Sequence, residues 1–204
     1  LSQVPEYSCA LDSMAISSTV FRQYSSMLAT TDPVDNTVFL TILFPYTSAS
    51  PQIQPVYPGQ AAVATRVNAG NNKDIVFATR TGSPVTLAAD SSGMNKAIQG
   101  DAKINFYSET NAGDFSGAFI QYGDSIKAGS QLIIQAGQRL DVAYEKVDDL
   151  LYAGYLSGNS TVKLYSPEPL QALEGPIVSV SYSADHKLAT VVFSGKGNFL
   201  LGAT

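Results

Sequence analysis

The chain has 204 residues, of which 45% are hydrophobic and only 14% charged, so it can bury a sizeable core and is not expected to be disordered. Its formal net charge is −5, and its 12 lysines and arginines are scattered singly, which argues against nucleic-acid binding and adhesion to anionic membranes. No apolar run approaches the ~20 residues of a membrane helix. An acidic polysaccharide stays open as a partner, because a few clustered arginines can form a local cationic groove.

In the first half of the chain, apolar runs between turn residues predict β-strands. Thr37–Phe44 is apolar on both faces, as in a central strand covered on both sides. Four prolines between positions 45 and 58 predict an extended loop or edge strand, because proline cannot donate to a ladder. Further strands are predicted over Ala62–Val67, Asp74–Thr79, Val85–Ala88, Lys103–Ser108, Phe115–Gln121 and Gln131–Gln135.

Helix signals are weak throughout. Asp90–Gln99 predicts one short helical turn, with Ser91 or Ser92 as its cap. We predict a single β-sandwich domain over residues 1–204, with residues 89–100 as the only candidate for a weak internal boundary.

Apolar and polar residues alternate most clearly in the second half, which predicts strands over Leu140–Glu145, Thr161–Leu164, Val178–Tyr182, Leu188–Phe193 and Phe199–Leu201. Gly158-Asn159 predicts a hairpin turn between strands ending near Leu156 and starting near Thr161, since both residue types accept a positive φ. Ala184–Lys187 predicts a second turn, and Gly195–Asn198 a third. The predicted fold class is all-β: an antiparallel β-sandwich or super-sandwich of about a dozen or more hairpin-connected strands.

Catalytic motifs are weak. The sole histidine, His186, lies in a predicted turn, where a base is poorly held against a nucleophile and an orienting acid. Gly123-Asp124-Ser125-Ile126 resembles the nucleophile block of GDSL-type hydrolases, but it lies mid-chain and the family's Asp-x-x-His pattern is missing before His186. The only cysteine, Cys9, is typical of a small buried apolar residue. We therefore expect no catalytic residue in this chain.

Metal and cofactor sites are not indicated either. One cysteine and one histidine cannot supply the four ligands of a structural zinc site. The carboxylates at Asp32 and Asp35 and at Asp148 and Asp149 lack the spacing of a calcium loop and suit solvated turns. Paired carboxylates for glycoside hydrolysis can come from distant strands, so spacing alone leaves that chemistry open.

The segment Thr37–Tyr46, with the sequence TVFLTILFPY, resembles a strand of the C-terminal β domain of heparinase II/III-type lyases, where a run of the form FLTVLYPY precedes a variable loop. The corresponding loop here is Thr47–Gln60. Strands like Ala62–Val67 and the Asp-x-Val-Phe-like Asp74–Phe77 then follow. The resemblance is best over residues 36–80.

This resemblance implies an enzyme of two parts, in which an N-terminal α/α toroid packs on an antiparallel β-sandwich and acidic polysaccharide lies between them. Such enzymes cleave by β-elimination: a base removes the C5 proton of a uronate, an acid (usually tyrosine) protonates the leaving oxygen, and the uronate carboxylate is neutralised. The 204 residues contain neither the toroid nor the histidine-bearing strands that precede the matching motif in the family. No catalytic residue is therefore carried over.

Five residues are candidate carbohydrate contacts. Tyr46 and Tyr57 flank the proline-rich loop, and aromatic rings offer sugars an apolar face with a polar tip. Arg22, Arg66 and Arg80 are the basic residues near the region of resemblance and are candidates for contact with an acidic polysaccharide.

Three functions are open. The first is the accessory, non-catalytic C-terminal β-sandwich of a secreted or periplasmic polysaccharide lyase, whose partners are the upstream toroid of the same parent chain and an acidic polysaccharide. The second is a stand-alone carbohydrate-binding or adhesin-like extracellular module. The third is a structural or assembly β protein, such as a capsid or appendage component. No cofactor is expected for any of them.

Overall fold

The structure is a computed structural model that describes the backbone of Tyr7–Ser17 and Val20–Ala29, and residues 51–58, 62–79 and 83–204. The chain divides into two compact units, Leu1–Val38 and Phe39–Thr204. In the first, β1 (Tyr7–Ser17) and β2 (Val20–Ala29) pair as a two-stranded antiparallel sheet. A single domain over 1–204 stays a prediction, and residues 89–100 lie inside the second unit.

The described part of the second unit forms one continuous sheet of 14 strands, all paired antiparallel, with one short helix. This confirms the predicted all-β, sandwich-like class. Within the described ranges, no helix is long and apolar enough to cross a membrane. The elements are β3 (Gln52–Val56), β4 (Ala62–Ala69), β5 (Asn72–Thr79), β6 (Val85–Leu87), α1 (Ala89–Ser92), β7 (Ile98–Gly100), β8 (Ile104–Thr110), β9 (Phe115–Ala128), β10 (Gln131–Lys146), β11 (Leu151–Leu156), β12 (Ser160–Tyr165), β13 (Leu170–Glu174), β14 (Ile177–Ser183), β15 (Leu188–Phe193) and β16 (Gly197–Ala203).

The 14 strands form two layers that share two long strands. The layer that we call the front sheet has the order β13-β16-β11-β10-β9-β8-β5-β4-β3. The layer that we call the back sheet has the order β14-β15-β12-β10-β9-β7-β6. Because β9 and β10 belong to both layers, the sandwich is one sheet folded over on itself.

Strands β9 and β10 change partners partway along their length. β9 pairs with β8 up to Gln121 and with β7 from Ile126 onward. β10 pairs with β12 over Ile134–Ala136 and with β11 over Val142–Lys146. The β9–β10 ladder is irregular between these halves. Such irregularities bend a strand and increase its twist, so the two ends of this hairpin enter different layers.

A carboxylate holds the bend of β9. The Oδ1 atom of Asp101 accepts hydrogen bonds from the backbone N–H groups of Asp124 and Ser125, both at 2.9 Å. Its Oδ2 atom accepts a third from the Ser125 hydroxyl at 3.2 Å. Backbone N–H groups that leave a regular ladder need such a partner, because an unpaired polar group away from water is costly.

Tyr122 lies in the same bend. Its φ of 51° is left-handed, and its N–H donates to the Oδ1 atom of Asp141 at 2.8 Å. The next residue, Gly123, lies against the Ala102 backbone, where a Cβ would come within 2.6 Å of the Ala102 Cα atom. Only glycine therefore fits at position 123 without moving the neighbouring chain.

Aromatic side chains fill much of the space between the layers. Tyr144 is 1% exposed, and its ring stacks on Tyr152 at 5.4 Å and on Phe115 at 5.5 Å between centroids. Its hydroxyl donates to the Tyr165 carbonyl oxygen at 2.8 Å, which joins the front sheet to the back sheet. Burial raises the pKa of the Tyr144 hydroxyl well above its usual range, so it stays a hydrogen-bond donor.

Among the described strands, β3 contains Pro55 and lies at one end of the front sheet, which agrees with the edge position predicted for the proline-rich segment. The predicted strand Thr37–Phe44 lies outside the described residues. The predicted short helical turn is confirmed: α1 begins at Ala89 and ends at Ser92, and β7 occupies Ile98–Gly100. The predicted serine cap is wrong, since the N-cap residue is Ala88 without a side-chain cap hydrogen bond.

The predicted hairpin at Gly158-Asn159 is also wrong. The strands on either side, β11 and β12, pair with different halves of β10 and not with each other. Neither turn residue has a positive φ. The connection crosses from the front sheet to the back sheet because β10 itself bends between them. The turn at Ala184–Lys187 does join a hairpin, since β14 pairs with β15.

We expect Asp101→Ala to lower the free energy of unfolding by about 2–4 kcal/mol, because two backbone N–H groups and a hydroxyl lose a charged acceptor. Asp101→Asn keeps one acceptor oxygen and should cost less. Urea denaturation measures both, with the exposed turn residue in Asp185→Ala as a control that changes stability by no more than about 0.5 kcal/mol. Equal midpoints for Asp101→Ala and the control would contradict this role.

Candidate functional site

A groove of about 930 Å³ runs over the outer face of the front sheet. Its lining comes from β5, β8, β9, β10, β11, β16 and β13, so it crosses most of the sheet at right angles to the strands. We call it the front groove. Strand register decides which side chains meet there, because residues opposite each other in adjacent strands point to the same face.

One cross-strand row of the front groove carries carboxylates. Strand by strand from β5 to β13, it consists of Asp74, Ser108, Gly117, Glu145, Ala153, Leu200 and Glu174. The three acidic residues lie three strands apart in succession, about 14 Å at the usual strand spacing. Glu145 and Glu174 are exposed, and Asp74 is half-buried. The row therefore carries negative charge at regular intervals.

A second row carries aromatic rings. From β5 to β16 it consists of Val76, Phe106, Phe119, Ala143, Tyr155 and Asn198. It lies two residues along each strand from the carboxylate row, about 7 Å away. Tyr155 is 39% exposed, and Phe106 and Phe119 are half-buried. The two rows together give the groove an apolar strip with a parallel acidic strip.

Asp74 is the most enclosed carboxyl group of the groove. Its Oδ1 atom accepts a hydrogen bond from the Ser108 hydroxyl at 2.6 Å. Burial raises the pKa of the Asp74 carboxyl, and the bond from Ser108 offsets part of that rise. No lysine, arginine or histidine is among the described residues that line the groove.

The groove geometry does not suit glycoside hydrolysis. Such enzymes place two carboxyl groups about 5–10 Å apart on either side of the scissile bond. Asp74 and Glu145 are separated by three strands, about 14 Å. A lyase site would also need a cation to neutralise the uronate, and the described lining offers none. The arrangement suits binding, with rings to stack on and carboxylates to accept hydrogen bonds.

A second cavity of about 890 Å³ has an aromatic lining that includes Tyr107, Tyr152 and Tyr165. Charges of both signs surround it, and one pair is already joined: Lys146 Nζ lies 2.8 Å from Asp149 Oδ1. Burial raises the pKa of the Tyr107 hydroxyl above its usual value, so this tyrosine stays protonated at neutral pH. The mixed charges of the rim indicate no single class of ligand.

Two of the five predicted carbohydrate contacts are described with side chains, and neither lines the front groove. Tyr57 follows β3 and is 86% exposed. Arg66 lies on β4 and donates hydrogen bonds to Gln54 and, at 3.4 Å, to the Ser92 carbonyl oxygen, which links it to β3 and α1. Their role in carbohydrate contact stays a prediction.

The other three candidates lie beyond what the structure describes in full. Arg22 is opposite Met14 in the β1–β2 ladder, with only its backbone described. Tyr46 and Arg80 are outside the described residues.

The GDSL-like block has a structural role. Ser125 lies in the bend of β9, and its hydroxyl donates to Asp101 instead of a basic nitrogen. His186 lies in the exposed turn between β14 and β15. In the described part of the chain, no three His, Cys, Asp or Glu side chains group together as metal ligands. Asp148 accepts a hydrogen bond from the Leu150 N–H at 2.8 Å, as a turn carboxylate does.

No protein-family model matches this chain, and no curated protein matches it. The resemblance to heparinase II/III-type lyases therefore stays a prediction from residues 36–80.

We expect Asp74→Asn to stabilise the protein at pH 7 and to have little effect near pH 3. The pKa of Asp74 is higher in the folded protein than in the unfolded chain. The neutral carboxyl therefore favours the folded state at pH values below the unfolded-state pKa, and this contribution to stability is lost as the pH rises through the folded-state pKa. Asparagine cannot ionise, so this loss of stability does not occur, and its side-chain oxygen still accepts a hydrogen bond from the Ser108 hydroxyl. Thermal unfolding at both pH values measures the difference, with Glu168→Gln as an exposed control. A gain of equal size at both pH values would contradict the assignment.

Proposed function

We propose that the second unit is a non-catalytic carbohydrate-binding β-sandwich of a secreted polysaccharide-degrading protein. The observation that carries this proposal is the aromatic row of the front groove beside its carboxylate row. A ring offers the apolar face of a sugar a surface for stacking, and carboxylate and amide oxygens accept hydrogen bonds from sugar hydroxyls.

The outward direction of the aromatic rings supports the proposal that the front groove binds a ligand. Alternation along a strand normally places apolar residues toward the core and polar residues toward solvent. Phe106, Phe119 and Tyr155 instead point outward on adjacent or nearby strands, next to Val76 and Leu200. A continuous apolar strip on an outer face is the usual sign of an interaction site.

The non-catalytic part of the proposal rests on the chemistry of the groove. Its carboxylates are too widely spaced for a glycosidase pair, and its described lining contains no base of the histidine or lysine type. Binding alone, by contrast, needs only a shaped surface with correctly placed polar groups.

The parent protein that we propose is a polysaccharide lyase of the heparinase II/III type, with an upstream toroid domain and a secreted or periplasmic location. Its support is the run of residues 36–80. The two strands that the resemblance leads us to expect, Ala62–Val67 and Asp74–Phe77, occur within β4 and β5, which are adjacent and antiparallel in the front sheet.

A stand-alone carbohydrate-binding or adhesin-like module is the second candidate. It is favoured by the sign of the charge in the front groove. An acidic polysaccharide would bring its own carboxylates close to Asp74, Glu145 and Glu174. A module for other glycans would meet no such repulsion.

We expect Tyr155→Ala to weaken glycan binding about tenfold, the loss typical of a well-placed aromatic contact. Affinity electrophoresis in gels containing soluble β-glucan, xylan or mannan, and titration with a hexamer of N-acetylglucosamine, measure this effect. Tyr57→Ala is the comparison, because Tyr57 is exposed and lies outside the groove. Loss of binding in Tyr57→Ala with none in Tyr155→Ala would move the contact to the end of β3 and refute the groove assignment.

We expect the chain alone to cleave no uronate polysaccharide. The ultraviolet absorbance of unsaturated uronate should stay flat during incubation with heparan sulfate, chondroitin, hyaluronan and alginate. A rise with any of the four would refute the non-catalytic assignment. A lyase of known activity in a parallel reaction shows that the assay works.

A further inference from the structure

The front groove differs in charge from the outer face of the back sheet. The described residues that line the groove include three carboxylates and no cation. The back sheet instead exposes Lys127 and Lys163 on its outer face, among polar neighbours such as Gln99 and Gln135. A polyanion would favour the back sheet, and a polycation the front groove.

The carboxylates of the groove are arranged as a line. Asp74, Glu145 and Glu174 follow one cross-strand row, with Ser108 and Gly117 between the first two and Ala153 and Leu200 between the last two. Because no charged or aromatic side chain stands between these carboxylates in the row, a chain-like ligand can lie along it and reach more than one of them. A compact ligand would meet only one carboxylate, since each step is about 14 Å.

The aromatic row runs parallel to this line about 7 Å away. A polymer stacked on Phe119 and Tyr155 would therefore present substituents toward the carboxylate row, which includes Glu145. Substituents that carry positive charge gain from this arrangement, neutral ones do not, and negative ones are repelled.

We propose that the front groove binds a glycan with free amino groups, such as a polymer of glucosamine. This rests on the proposed carbohydrate-binding function, names its ligand class, and favours the stand-alone module over a domain of a uronate lyase. The sugar rings stack on the aromatic row, and the ammonium groups pair with Glu145 and Glu174. Asp74, at the far end of the row, accepts a further hydrogen bond beside Ser108.

The test compares three hexasaccharides at about pH 6, where aspartate, glutamate and most amino groups are ionised. They are a glucosamine hexamer, an N-acetylglucosamine hexamer and a galacturonate hexamer, each titrated calorimetrically into the full chain. We expect the glucosamine hexamer to bind best and the galacturonate hexamer worst. Added salt should weaken the first and leave the N-acetylated hexamer nearly unchanged.

Variants separate charge from stacking. The double variant Glu145→Gln with Glu174→Gln should weaken binding of the glucosamine hexamer about five- to tenfold and leave the N-acetylated hexamer within about twofold. Tyr155→Ala should weaken both. Glu168→Gln, an exposed glutamate outside the groove, should change neither. An unchanged thermal transition in each variant shows that the fold is kept.

The outcomes are distinguishable. Equal affinity for the two glucosamine-based hexamers, or no effect of the double glutamate variant, overturns the amino-glycan assignment but leaves a Tyr155-dependent groove in place. Tighter binding of the galacturonate hexamer, lost in Lys127→Gln with Lys163→Gln, overturns it in favour of the back sheet. No binding of any hexamer overturns both this inference and the proposed function.

Discussion

The sandwich is built around the bend shared by β9 and β10, and the carboxylate of Asp101 accepts hydrogen bonds from the backbone of that bend. Its Oδ1 atom accepts hydrogen bonds from the backbone N–H groups of Asp124 and Ser125, where β9 changes its partner from β8 to β7. With those groups satisfied, one hairpin can serve two layers, and both layers can pack on one core that contains Tyr144 and Ile134. A straight hairpin would give an open sheet with one face of its apolar residues in water, which the hydrophobic effect opposes.

The front groove follows from the same geometry. Once the inner face of the front sheet is committed to the core, its outer face is free, and strand register alone decides which residues align there. That register places Glu145 opposite Gly117 and Ala153, and Tyr155 opposite Ala143 and Asn198. The site is therefore made of residues that are individually ordinary. Its character comes from alignment across strands as distant in the chain as β5 and β16.

Local pattern predicted most of the strands, because alternation and turn residues are local properties. The pairing of the strands was harder to predict from the sequence. The runs Gln131–Gln135 and Leu140–Glu145 are one bent strand, β10, and no local signal distinguishes a bend from a turn. The front groove could not be predicted from the sequence for a related reason. Phe115 and Phe119 are four residues apart, so simple alternation places both on the same face of β9. Phe115 is nevertheless buried at 9% exposure while Phe119 faces the groove, because the β8–β9 register shifts between them. Alternation alone assigns both rings to the core.

The shared strands also constrain how the protein can be made. Strands β9 and β10 leave the ribosome before β11, β12, β15 and β16, which pair with them or close the layers around them. The apolar inner faces of the hairpin therefore stay unpacked until the later strands have been synthesised, and neither layer can fold first as an independent unit. The two layers can therefore close only after β16 has been synthesised, and a chaperone that shields the exposed hairpin until then would raise the yield of folded protein.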